Sequence, residues 1–210
     1  MTPYYSDDGC TIYHGDCAEV MESLSGAFSL GFADPPYNYG VDYGFGPAAD
    51  SLDDEYYWFW CNGWFKQLRA LCDRTIVTPG HGNLGQWLPR KPSGVGCWYK
   101  PGGTGSSHLG WCEWEPWLYW GQRLGGSDVI KATLNPTFKS DVGHPCPKPV
   151  LLVKRLIVKT KATTLLDPFV GSGTSLVAAK EMGICGVGIE KNEAYCEIAA
   201  KRLAQGVLAL

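Results

Sequence analysis

The sequence predicts an α/β fold built on a mostly parallel sheet, and three observations carry that reading. An apolar run, Phe28-Ser29-Leu30-Gly31-Phe32-Ala33, reads as a buried parallel strand and stops at Asp34-Pro35-Pro36-Tyr37. A second apolar stretch, Leu165-Leu166, runs into Asp167-Pro168-Phe169-Val170-Gly171-Ser172-Gly173-Thr174, a glycine turn that joins a strand to a helix. The next strand ends in Glu190, 17 positions after Gly173. In open sheets of this kind ligands sit beyond the carboxyl ends of strands, so acids placed there face a cleft.

The elements follow in order. Residues 11–15 read as a short strand with Asp16 at its end, then a brief helix over 18–24 with Val20, Met21 and Leu24 on one side. With the strand into Asp34 these make a right-handed βαβ unit. Residues 38–47, rich in Gly and aromatics, read as a loop long enough to move over a site. A helix over 52–71 has Ser51 as its cap, acids in its first turn and Lys66 and Arg69 near its end, as the helix dipole prefers. Most of its aromatic side chains belong in the core.

Residues 74–80 form a third buried strand and turn, and 83–87 a single helical turn. Residues 95–101 and 115–121 look like two strands separated by a flexible Gly/Ser loop at 102–110. With no helix between them they pair antiparallel at an edge. Residues 122–143 lack periodicity and read as loop. A helix over 147–158, a strand over 162–166, a helix over 174–182, a strand over 185–189 and a last helix over 193–205, capped by Asn192, complete the chain.

Length and composition bound the function. A chain of 210 residues with 45% hydrophobic content fits one domain. No apolar run approaches twenty residues and the N-terminus has no signal-peptide pattern, so a cytoplasmic protein without a membrane span is expected. The nine cysteines are odd in number, scattered and without a Cys-x-x-Cys pair, which reads as reduced, mostly buried thiols, with no metal site. A net charge of −3 and a pI near 5.8 argue against a protein that coats nucleic acid. A local basic face is still compatible, and Arg90, Lys91, Lys100, Arg123, Lys131 and Lys139 are candidates for phosphate contact.

The two motifs define chemistry. Consecutive prolines remove two N–H donors and stiffen the segment after Asp34, leaving carbonyls free to accept. Tyr37 adds an aromatic face. A rigid acceptor pair with a stacking plate suits a planar ring bearing an exocyclic amine. At the glycine turn, bare backbone and helix N–H groups approach a ligand, and Glu190 can take both hydroxyls of a ribose. The third glycine of the dinucleotide fingerprint is replaced by Leu176, and no Gly-Lys-Ser/Thr occurs. A nucleoside without pyrophosphate, S-adenosylmethionine, fits this pattern best.

Together the motifs resemble the amino-methyltransferases that act on DNA bases, in the circularly permuted beta class whose catalytic motif precedes the cofactor motif. The signatures Asp-Pro-Pro-Tyr and Asp-Pro-Phe-x-Gly-Ser-Gly-Thr stand in full at 34–37 and 167–174, and His144-Pro145-Cys146-Pro147-Lys148-Pro149 matches a third run. Trp98-Tyr99-Lys100 and Trp114-Glu115-Pro116-Trp117-Leu118 resemble two further strand motifs.

The resemblance implies a Rossmann-like sheet and transfer of a methyl group from S-adenosylmethionine to N6 of adenine in DNA. It implies that Asp34, Pro35, Pro36 and Tyr37 handle the flipped base. It also implies that Asp16, Asp34, His144, Lys148, Asp167, Pro168, Phe169, Gly171, Ser172, Gly173, Thr174 and Glu190 hold the cofactor, with Asp16 near the adenine amine and His144 and Lys148 at the methionine end. Asp16 has the alternative reading of a helix cap, and His144 that of a loop histidine. Cytosine N4 is the alternative target, RNA an alternative substrate, and an idle cofactor-binding module the alternative function. Loops 38–50, 88–113 and 122–143 are the candidate DNA-recognition elements, completed where needed by a second subunit. A bacterial or phage-infected cell and a restriction-modification setting are the expected context.

Overall fold

The computed structural model describes residues 1–103, 105–133 and 147–205. A nine-stranded sheet dominates. In chain order its strands are β1 (Tyr5–Ser6), β2 (Cys10–His14), β3 (Leu30–Ala33), β4 (Thr75–Val77), β5 (Gly94–Tyr99), β8 (Trp114–Trp120), β9 (Val129–Lys131), β10 (Thr164–Asp167) and β11 (Cys185–Glu190). They lie side by side as β1-β2-β11-β10-β3-β4-β8-β5-β9. The five strands from β2 to β4 are parallel, and β8 pairs antiparallel with both β4 and β5.

Alternation along the strands builds two cores, one on each face. Phe32, Ile76, Leu165 and Tyr119 point to one face and pack with α4 (Val150–Thr160), α5 (Thr174–Glu181) and α6 (Glu193–Ala204). Their neighbours Ala33, Val77, Leu166, Leu118 and Trp120 point to the other face. There they meet α1 (Cys17–Ser23), α2 (Asp54–Leu71) and α3 (Gly80–Trp87). The eight cysteines among the described residues are all unpaired and five of them are buried.

The permuted order expected from the motifs is present: β2, from the start of the chain, is the strand that lies parallel beside β11. Several expectations are corrected. β2 and β3 are parallel members of one sheet but not neighbours, because β11 and β10 insert between them. The cap of α2 is Asp53, whose carboxylate accepts from the N–H groups of Glu55 and Tyr56, rather than Ser51. The single turn at 83–87 is a full helix from Gly80. The 102–110 segment is not simply loop: β6 (Gly105–Ser107) and β7 (Gly110–Cys112) form a hairpin. Inside the 122–143 segment β9 adds to the sheet edge, parallel to β5.

Gly173 fixes how α5 leaves β10. Its φ of 87° lies in the left-handed region, and a Cβ there would sit 2.8 Å from Cβ of Ala199 on α6. Gly173→Ala is expected to cost about 1–3 kcal/mol in urea unfolding. Gly63→Ala, at an open position inside α2, is expected to stabilise by about 0.5–1 kcal/mol instead. Equal effects at the two positions would contradict this account.

Candidate active site

The sheet order makes the site. β10 continues through α5 to β11 on one side, whereas β3 continues through α2 to β4 on the other. Neighbouring strands whose connections diverge leave a crevice at their carboxyl ends. Asp34 and the glycine turn therefore open into one cavity of about 650 Å³, shared with Gly15 and Asp16 after β2 and with Glu190 at the end of β11.

On the β10 side, Asp167, Pro168, Phe169, Gly171, Ser172 and Thr174 line this cavity. Gly173 does not line it and acts through its packing on α6. The Phe169 ring rests on Trp60 and Trp64 of α2, at 5.6 and 5.0 Å between centroids. Glu190 accepts from the Gly171 N–H at 2.9 Å through one oxygen and from the Asn192 N–H at 2.7 Å through the other. The Lys191 N–H also favours this carboxylate, and of its roughly four lone-pair sites at least one remains for a further donor. Burial pushes the Glu190 carboxyl above its ordinary value. Asp16 caps α1, accepting from the Ala18 N–H at 3.0 Å, and its other oxygen lies 3.5 Å from Lys191 Nζ. It is thus both the helix cap and a cavity residue.

Asp34 gathers three partners on one oxygen. Its Oδ1 accepts from the Tyr37 hydroxyl at 2.7 Å and the Thr78 hydroxyl at 2.5 Å, and lies 2.8 Å from Lys148 Nζ. Its Oδ2 has no donor among the described residues. The expectation of several free carbonyls after Asp34 is narrowed: Pro36 O accepts from the Tyr57 hydroxyl and Tyr37 O from the Asn83 side chain, both at 2.9 Å. Pro35 O alone of the three has no donor among the described residues.

Lys148 stands beside this carboxylate. Its ammonium also donates to Tyr37 Oη at 3.0 Å and faces Glu115 Oε2 at 3.5 Å, while Glu115 Oε1 meets Lys100 Nζ at 2.5 Å. Burial pulls Lys148 down, but Asp34, Tyr37 and Glu115 outweigh it and hold the ammonium well above the usual lysine value. Burial likewise opposes the Glu115 carboxylate, and Lys148 and Lys100 overcome it. His144 lies outside the described residues.

Sequence reasoning missed Thr78, Asn83, Glu115 and the role of Lys100. The signal for Glu115 was an acid inside the apolar run from Trp114 to Trp120. Lys100 is buried in this ion cluster rather than turned to phosphates, and Arg90 stacks over Trp87 at 4.6 Å and bonds Asn62. The loop after Tyr37 is pinned over the cavity. The buried Asp50 carboxylate accepts from the N–H groups of Asn38, Tyr39 and Val41, and Asn192 bonds Tyr43 O. Tyr39, Val41, Tyr43 and Phe45 all line the cavity.

The chain is similar to known DNA methyltransferases. A family model described as DNA methylase, of the N6/N4 type, matches residues 111–201. The Type II methyltransferase M.ScaI of Streptomyces caespitosus is 26% identical over 262 aligned positions, spanning 96% of this chain and 83% of that enzyme. The M1.HpyAVI–SAM complex superposes with a TM-score of 0.70 at 18% identity, covering 92% of this chain and 98% of that one. PvuII DNA methyltransferase, described as cytosine-N4-specific, superposes with a TM-score of 0.75 at 14% identity, covering 99% and 90%. At these identities the two structures speak to the fold alone. The family match and the relatives bear out the resemblance read from the motifs and support an S-adenosylmethionine-dependent DNA amino-methyltransferase.

Asp167 offers a pH test. It is buried, accepts from the Phe169 N–H at 2.8 Å and from the Ser175 hydroxyl, and burial pushes its carboxyl up to about 7. A folded pKa above the unfolded value of 3.8 means that the folded state binds the extra proton between these values. Stability from this group therefore falls as pH rises from about 4 to about 7, by at most about 4 kcal/mol. Asp167→Asn should flatten that part of the curve, as read from urea unfolding of both proteins across pH 4–8. Parallel curves would refute it.

Proposed function

We propose that this chain transfers the methyl group of S-adenosylmethionine to N6 of adenine in DNA. The observation that carries the proposal is the acceptor pair: one oxygen of Asp34 and the carbonyl of Pro35, both without a donor among the described residues, in the lining of a cavity that continues to the glycine turn. An exocyclic amine conjugated with its ring is a poor nucleophile, because its lone pair is delocalised. Two acceptors on its two N–H groups localise that pair and stabilise positive charge as it develops on nitrogen.

The cavity fits the methyl donor. Backbone at Gly171 and Ser172, the Phe169 ring, Asp16 and the remaining acceptor capacity of Glu190 would hold its nucleoside. The aromatic loop at 39–45 covers it. When bound, it supplies an electrophilic methyl group on a sulfonium. The chain's own part is to orient the amine and exclude water, and positioning of this kind contributes a large share of catalysis. Asp34, where the related cytosine enzymes more often carry Ser, favours adenine. The base must leave the duplex to reach Asp34. Tyr37, whose hydroxyl is engaged by Asp34 and Lys148, contributes a wall with a fixed ring.

The rest of the reading concerns DNA. The β6–β7 hairpin exposes Leu109 fully and Trp111 at 75%, and Lys91, Arg123 and Lys131 are exposed. We assign these to the DNA-facing rim, with loose or short-site specificity or a second copy completing the groove. No helix among the described residues is long and apolar enough to cross a membrane, and a cytoplasmic setting belongs to this proposal.

Asp34→Ala should bind S-adenosylmethionine with unchanged Kd and lose about 100-fold or more in kcat. Nucleoside digestion of wild-type product should show N6-methyladenosine in its deoxy form. N4-methylcytosine would transfer the reading to the other amine, and undiminished transfer by the variant would remove Asp34 from the mechanism. Trp111→Ala should raise KM for DNA several-fold, by about the worth of one stacked base, with cofactor binding unchanged. An unaltered KM would take the hairpin off the DNA-facing rim.

A further inference from the structure

We propose that Glu115 and Lys100 are positioning residues for methyl transfer, holding Lys148 on one oxygen of Asp34 so that the other is kept for the target amine. This rests on the reading of Asp34 as the acceptor of that amine. Neither Glu115 nor Lys100 lines the cavity, so any effect they have on transfer passes through Lys148.

The geometry is specific. An ammonium has three N–H donors, and Lys148 has three acceptors around it: Asp34 Oδ1 at 2.8 Å, Tyr37 Oη at 3.0 Å and Glu115 Oε2 at 3.5 Å. Glu115 Oε2 has no hydrogen-bond donor among the described residues, so its pull is directed at Lys148. Lys100 holds the other oxygen of Glu115, and its backbone N–H is fixed to Glu113 O at 2.7 Å. Both ammonium groups lie over the Trp98 ring, at 5.3 Å for Lys100 and 5.9 Å for Lys148. Trp98 is itself buried and bonded to Ala132 O at 2.8 Å.

The signs therefore alternate from Asp34 through Lys148 and Glu115 to Lys100. Without Glu115, two buried cations would remain against one indole ring, and Lys148 would keep Asp34 as its only carboxylate partner among the described residues. It would then be drawn fully onto that carboxylate, free to bridge Oδ1 and Oδ2 and to compete with the substrate amine.

The test compares Glu115→Gln with the doubly neutral K100M/E115Q, which strands no buried charge and serves if the single variant fails to fold. The groups facing this cluster are Asp34, Tyr37, Lys100, Lys148 and His81. Expected for the folded variant are an unchanged Kd for S-adenosylmethionine and a kcat lowered between about 10- and 100-fold. The basic limb of the pH–rate profile should move to lower pH, because Lys148 has lost one of its two carboxylates. Glu115→Asp, which keeps the charge, should recover part of the loss. A folded K100M/E115Q with wild-type kcat overturns the proposal, and so does a lowered kcat with an unmoved pH profile, which marks a merely structural role. If the wild-type protein methylates no DNA, the underlying reading of Asp34 fails instead.

Discussion

Three donors from three separate parts of the chain converge on a single oxygen of Asp34. Tyr37 comes from the turn after β3, Thr78 from the end of β4 and Lys148 from the segment leading into α4. Each requires something of the fold. Thr78 can reach Asp34 only because β4 lies beside β3 in parallel, so that both strands end at the same edge. Lys148 can reach it only because α4 packs on the face that Phe32 and Leu165 share. A buried ammonium is tolerated where its partners are fixed, and removing one partner of such a pair is more damaging than never having had it. The contact thus welds the Asp34–Tyr37 turn to the sheet and to the helical layer at once.

The opposite wall is held by a different device. The loop after Tyr37 carries five cavity-lining residues, Asn38, Tyr39, Val41, Tyr43 and Phe45, yet no strand or α-helix supports it between 38 and 46. Its backbone N–H groups are gathered by one buried carboxylate, Asp50, and its turn is closed by Asn38, whose side chain pairs with both the N–H and the carbonyl of Leu52. Asn38 sits at φ 63°, a region that Asn tolerates better than most side chains. A carboxylate that accepts three N–H bonds replaces the partners that a strand would have provided. The covering over the cavity is therefore ordered mainly by side chains close to it in the chain, joined by Asn192 from the turn after β11.

The parts legible in the sequence were those governed by local rules. Apolar strands ending in acids, a glycine turn opening a helix and the cap at Asn192 each involve neighbours in the chain, and the structure places them as read. What was not legible depended on distant partners. Ser51 and Asp53 are both competent caps, and the entry of α2 beneath the loop chooses between them. β9 has three residues and no periodicity of its own, and it is a strand because β5 offers an unpaired edge. Lys100 looked like a surface cation because its partner, Glu115, is fifteen residues away on another strand. Local sequence carries no sign of that pairing beyond an acid set among tryptophans.

The arrangement of acceptors also separates two kinds of selectivity. The Pro36 and Tyr37 carbonyls are consumed by Tyr57 and Asn83, and Asp34 Oδ1 is consumed by three donors. What is left is one carboxylate oxygen and one carbonyl. Such a pair reads an amine with two N–H groups; it does not read the ring to which that amine is attached. Adenine and cytosine both present such an amine on an aromatic edge, so the walls, where ring size decides the fit, must add to whatever preference Asp34 itself carries. DNA sequence must in turn be read by the rim, which shares no residue with the acceptor pair. On the proposed reading of Asp34 and Pro35, the same acceptor pair can therefore serve different bases and different sites by changing surfaces that never touch the amine.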